Sequence, residues 1–112
     1  MSGVSPTQNS LSALRALGYD CWVVEYWNGF THRRVDMFGA WDIIALREGE
    51  VLFVQTTSDS NVSARVRKIA DNEHTASARK AGVRLEIHGW KKKPKVKGGK
   101  AMVWKQRVVD VS

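Results

Sequence analysis

The stretch Gly39–Ser58, GAWDIIALREGEVLFVQTTS, decides how the chain folds. Two runs rich in β-branched and aromatic residues, 41–46 and 51–58, flank the polar turn Arg47-Glu48-Gly49-Glu50. So short a connection leaves room only for an antiparallel pair, and Gly49 supplies the backbone freedom a tight turn requires. Asp42 opens the first strand, and Gln55, thirteen positions later, lies near the end of the second. Those places are neighbours across an antiparallel ladder. Gln55 and Thr57, two apart, share a face.

Working outward, SPTQNSLSALRALGYD reads as a helix. Ser5 caps it, Pro6 suits its first position, Leu11, Leu14 and Leu17 lie on one face, and Gly18 stops it. Cys21–Trp27, CWVVEYW, reads as the first strand, with Cys21, Val23, Glu25 and Trp27 on one face. Glu25 is then a lone carboxylate among apolar neighbours. Residues 28–34 read as a loop. After the hairpin, SDSNVSARVRKIADNEH is a helix with Val62, Val66 and Ile69 as its core stripe. Thr75–Gly82 either continues that helix or forms a short second one. Residues 83–90 alternate as a fourth strand, Lys91–Lys100 is a basic loop, and residues 101–111 are a final strand. The order helix, three strands, helix, two strands predicts an α/β fold with a mixed sheet, its central hairpin flanked by helices.

The 112 residues suit one domain, 1–112, with 1–7 as a loose start. The formal net charge of +7 is unevenly placed: residues 1–60 hold four bases and seven acids, and residues 61–112 hold fourteen bases and four acids. An acidic half facing a basic half suits a metal-dependent enzyme of nucleic acid, in which acids hold the ion and bases hold phosphate. A soluble basic domain with a lysine-rich loop is the blander alternative. The single cysteine, Cys21, excludes an internal disulfide and offers no second thiol for a zinc site. Residues 1–10 carry no secretory-signal pattern and no apolar run approaches membrane-spanning length, so the expected setting is a reducing cytoplasm.

Asp42, Gln55 and Glu25 are the candidate metal ligands, with Asp36 within reach of the same region. Carboxylate and amide oxygens suit Mg²⁺ or Mn²⁺, hard ions that take oxygen donors. Each residue also has a plainer role open to it: Asp42 as a strand-entry cap, Glu25 in a salt bridge, Gln55 as a buried hydrogen-bonding group. His32, His74 and His88 could transfer protons or serve in loops and on the surface.

This arrangement resembles the PD-(D/E)XK nuclease superfamily, and within it the archaeal-type Holliday-junction resolvases and related small phage and bacterial proteins. Asp42 in the hairpin and the following SNVSARVRKI carry the likeness, which spans roughly Leu11 to Trp90. The resemblance implies a restriction-endonuclease-like fold, a mixed central β-sheet flanked by helices. By it, Asp42 matches the metal-binding aspartate, Gln55 falls where the family has its second acid and Thr57 where it has its lysine, so QxT stands for ExK. Glu25 stands for an upstream glutamate that the family usually presents from a helix. A threonine hydroxyl is neutral and short, and cannot replace an ammonium. Lys91 and Lys92, directly after Trp90, are the expected substitutes, Lys91 completing a catalytic set with Asp42, Gln55, Thr57 and Glu25. Arg65, Arg67 and Lys68 on the second helix, with Lys91, Lys92, Lys93 and Lys95, form the expected phosphate track. The implied activity is a Mg²⁺- or Mn²⁺-dependent DNA endonuclease cutting branched or structured DNA as a homodimer. The alternative is a catalytically lapsed nuclease fold that serves as a DNA- or protein-binding phage accessory module.

Overall fold

In the computed structural model, which describes residues 4–112, helix α1 spans Pro6–Ala16 and is capped by Ser5, whose side chain accepts from Gln8 N–H at 3.2 Å. Residues 1–3 of the expected loose start lie outside the described residues, while Pro6 and Thr7 belong to the helix. The strands are β1 (Asp20–Val23), β2 (Tyr26–Asn28), β3 (Arg33–Val35), β4 (Ile43–Arg47), β5 (Glu50–Ser58), β6 (Arg84–Pro94) and β7 (Met102–Asp110). A 3-10 turn, Asp59–Asn61, leads into α2 (Val62–Asp71), and α3 (Thr75–Lys80) follows as a separate short helix.

The main sheet is mixed, with order β1-β4-β5-β6-β7. Only β5 and β6 run parallel; the other pairs are antiparallel. The central hairpin forms as its sequence implies, with Ile43 opposite Val54, Arg47 opposite Glu50, and Gly49 at φ +75° in the turn. Side chains alternate across the sheet. Ile43, Ala45, Leu52 and Val54 pack with Leu11 and Leu14 of α1, while Phe53, Leu85 and Ile87 pack with Val62 and Ile69 of α2. The sheet is thus covered by helices on both faces. No helix among the described residues is long and apolar enough to cross a membrane.

Two expected elements differ. The run Cys21–Trp27 is not one strand. β1 ends at Val23 because its partner ends: Val24 N–H still reaches Asp42 O at 2.9 Å, but Trp41 turns away to pair with Met37. Tyr26–Asn28 then leaves the sheet and pairs with Arg33–Val35 as a separate hairpin, so that Asn28, Arg33 and Arg34 of the expected loop 28–34 are strand residues. Glu25 therefore sits in a break between strands. Lys91–Lys100 is likewise not wholly a loop. Lys91, Lys92, Lys93 and Pro94 extend β6 past the end of β5, because β7 continues to pair with them as far as Pro94 opposite Met102. The connecting loop is only 95–101.

Candidate metal centre

Asp42 is the last residue before β4, and its backbone is fixed at both ends: its N–H donates to Val54 O and its C=O accepts from Val24 N–H, both at 2.9 Å. The residue is 4 % exposed. Its Oδ2 accepts from Gln55 Nε2 at 2.7 Å, from Thr56 N–H at 2.7 Å and from Thr56 Oγ1 at 3.1 Å. All three bonds fall on one oxygen, and among the described residues no N–H or hydroxyl donates to Oδ1.

The break after Val23 turns Glu25 toward this aspartate, and the end of β3 brings Asp36 to the same place. One carboxylate oxygen from each of Glu25, Asp36 and Asp42 lies within 4.8 Å of the others, a grouping that could hold a metal ion. The three line a cleft of about 270 Å³ with Thr7, Gln55, Thr56 and Arg65. Burial raises the pKa of Asp42 above the ordinary carboxylate value, opposed by its bonds from Thr56 and Gln55 and reinforced by the charge of Glu25. Asp36 is raised as well, first by burial and then by Asp42, against the pull of Lys68. Crowded, desolvated carboxylates of this kind gain from a cation. The donor set is all hard oxygen, which fits a divalent ion of the Mg²⁺ or Ca²⁺ type better than a soft one.

Positive charge from the chain itself reaches the rim. Arg34 lies 3.8 Å from Glu25, and Lys68, on α2, lies 3.6 Å from Asp36. Lys68 also donates from Nζ to Gln55 Oε1 at 3.3 Å. Gln55 therefore bridges Asp42 and Lys68, giving its N–H to the acid and its oxygen to the ammonium. In this orientation its oxygen is spent on Lys68 rather than turned to the carboxylates, and Asp36 takes the third place expected for Gln55.

The other expected residues divide. Thr57 is buried and accepts from Arg65 Nε at 3.5 Å on the α2 side, where it lies outside the cleft lining. Thr56, the middle of the triplet, is the threonine that meets Asp42. Lys91 does not reach the cleft: β6 carries it along β7, and its ammonium lies 3.9 Å from Asp59. Lys92 stands over the Trp104 ring at 5.3 Å, and Lys93 continues the strand, exposed. Lys95 begins the loop, and Arg67 is exposed on α2. Of the histidines, His88 is buried against α1, bound to Ser10 Oγ and Glu86 Oε1 at 3.0 Å each, and lines a different cleft. His74 packs against Phe38, and His32 against Trp27.

The role of Lys68 escaped the sequence reading, which placed it among phosphate contacts. A signal was present: Arg65 and Lys68 are three apart on α2, so they share a helix face. Both reach the polar end of β5. Compared with protein-family models, with curated proteins and with solved structures, the chain matches none.

Proposed function

We propose that the protein is a divalent-metal-dependent DNA endonuclease of the PD-(D/E)XK type, acting on branched or structured DNA with Mg²⁺ or Mn²⁺. The observation that carries this reading is the convergence of Glu25, Asp36 and Asp42 with the Lys68 ammonium at one end of the hairpin. A structural scaffold gains nothing from three carboxylates gathered within 4.8 Å and partly desolvated. The succession of α1, β1, the β4–β5 hairpin, α2 and a parallel β6 supports a restriction-endonuclease-like arrangement.

Glu25, Asp36 and Asp42 would hold the ion. Bound there, it would supply an activated water and offset charge on the phosphate being cut. Asp42 is held rigid by its three hydrogen bonds, so its free oxygen is presented without reorganisation. Lys68 takes the part of the missing motif lysine, its ammonium held at the rim by Gln55 and Asp36 and able to turn to the scissile phosphate. Arg65 lines the same cleft as a second phosphate contact. Symmetric cutting of two strands would call for a homodimer.

The test is incubation of purified protein with Mg²⁺ or Mn²⁺ and end-labelled four-way junctions, flaps and single strands. Cleavage that disappears with EDTA and in Asp42→Ala is expected; intact substrates of every kind would end this reading. One observation favours a second reading, a lapsed nuclease fold that only binds. Lys68 and Arg34 already neutralise two of the carboxylates, and a threonine holds the motif-lysine position. In that case salt-sensitive DNA binding persists unchanged in Asp42→Ala, with no cleavage by either protein.

A further inference from the structure

The hairpin Tyr26–Val35 stands apart from the main sheet and is rooted in the acid cluster. Glu25 immediately precedes it and Asp36 immediately follows it, so both stems end at cluster carboxylates. What the hairpin displays is aromatic. Tyr26 is 57 % exposed, Trp27 58 % and Phe30, at the tip, 98 %. The tip is a built turn. Asn28 Oδ1 accepts from Phe30 N–H at 2.9 Å and from Thr31 N–H at 3.3 Å, and His32, at φ +53°, packs edge-on to Trp27. Phe30 is thus held outward by local bonds that fix the backbone beneath it. Basic groups alternate with the rings: Arg34 lies directly opposite Trp27, and Arg33, opposite Asn28, makes no ion pair among the described residues.

Clustered, protruding apolar groups mark an interaction surface. A stable protein interface takes roughly 20–30 residues from each side. This ten-residue hairpin offers separate ring faces beside guanidinium groups instead of such an area. Separate rings beside bases are the means by which single-stranded nucleic acid is held, each ring stacking on one base whatever its identity. The hairpin's own charge has the matching sign, since Arg33 and Arg34 are its only charged residues.

We propose that the hairpin is a base-stacking finger. Phe30 and Trp27 take the faces of unpaired or splayed nucleobases, Arg33 takes an adjoining phosphate, and the strand so gripped passes the carboxylates at the hairpin's roots. The inference rests on the nuclease reading for the identity of the polymer, and it deepens that reading. The ligand class is DNA with unstacked bases at a branch or single-stranded segment, in preference to continuous duplex.

The test measures binding in EDTA, where no cutting occurs. Fluorescein-labelled single strand, branched DNA and perfect duplex of equal length are titrated with wild type, Phe30→Ala and Phe30→Trp. Phe30→Ala should weaken single-strand and branch binding about tenfold, the worth of one stacked base, with duplex binding nearly unchanged. Phe30→Trp should restore it. A 2-aminopurine placed at the unpaired position should change its fluorescence on binding wild type but not Phe30→Ala. Equal loss on duplex and branched DNA, or no loss on either, overturns the proposal. So does a Phe30→Ala protein whose only change, in sedimentation, is dissociation of a dimer. Cleavage with Mg²⁺ is scored separately: wild type that grips unpaired bases without cutting sinks the nuclease reading alone, and Phe30→Ala that cuts like wild type sinks the finger alone.

Discussion

The ammonium of Lys68 lies 3.3 Å from the amide oxygen of Gln55. Through Gln55 the charge on α2 is coupled to Asp42 at the start of the neighbouring strand, and the proposed activity gives this ammonium the part of the missing motif lysine. Lys68→Ala should lower the rate of metal-dependent cleavage by on the order of 10²–10³, the scale of losing one preorganised stabiliser of transition-state charge. Lys91→Ala, which removes an exposed pair with Asp59, should change it by no more than about threefold. Single-turnover cleavage of one junction substrate by both variants decides between the two lysines. Equal losses would return the part to the strand after Trp90.

The carboxylate cluster also predicts a cost to the metal-free protein. Asp42 and Asp36 are both held above their ordinary pKa, chiefly by burial. The native state therefore binds their protons more readily than the unfolded state does, and stability falls as pH rises through that window. The burden is fully present above the raised values and lifts as pH drops through them toward the ordinary ~3.9. Asp42→Asn keeps an oxygen for the donors of Gln55 and Thr56 and removes the charge. In EDTA at pH 7 it should be the more stable protein, by about 1 kcal/mol. Its advantage should shrink as both proteins are melted at successively lower pH, and added Mg²⁺ should raise the melting temperature of wild type only. A variant less stable than wild type at pH 7 would mean that the hydrogen bonds to Asp42 outweigh its desolvation.

Gly89 sets how closely α2 approaches the sheet. It sits on β6 opposite Thr57 of β5, and a Cβ there would collide with Val62 Cγ2 and lie 3.2 Å from Asp59 Cα. Val62 opens the helix that carries Arg65 and Lys68, so the absent side chain lets both reach the polar end of β5. Gly89→Ala should cost about 1–3 kcal/mol by overpacking. Thermal melting would show it as a drop of several degrees, about 4–8 °C per kcal/mol in a domain near this size. Cleavage at a temperature where the variant is fully folded should fall as well, because Lys68 is displaced with its helix.

How much of this was readable beforehand depended on how local each determinant is. The hairpin was legible because a two-residue turn and a period of two bring Asp42 opposite Gln55 whatever surrounds them. The cap at Ser5 and the core stripe of α2 were legible for the same reason. The break after Val23 was not, since strand-forming residues continue through Trp27 and the strand stops only where Trp41 deserts the ladder for Met37. That break moved Glu25 from a strand face into the cluster. Asp36 and Lys68, thirty-two positions apart, meet only through the packing of α2 on β5. The run Lys91–Lys93 resembles a loop by composition, yet the partner strand β7 holds it extended.

That extension makes the last prediction sharper than a plain lysine count. In β6, Trp90 faces α1, bonded to Ser10, so Lys91 and Lys93 face the α2 side and Lys92 the α1 side. Lys105, directly opposite Lys91 on β7, shares the α2 side. Lys93 and Lys105 thus share the sheet face on which α2 packs, whereas Lys92 covers Trp104 on the far face. If duplex phosphates lie along the α2 side, Lys93→Ala and Lys105→Ala should each lower the slope of log affinity against log salt by about 0.9. Lys92→Ala should leave that slope unchanged. Fluorescence anisotropy with a labelled duplex over a range of KCl concentrations, in EDTA, measures all three. A slope change in Lys92→Ala equal to the others would mean that the DNA tracks the end of the β6–β7 ribbon without preferring the α2 face.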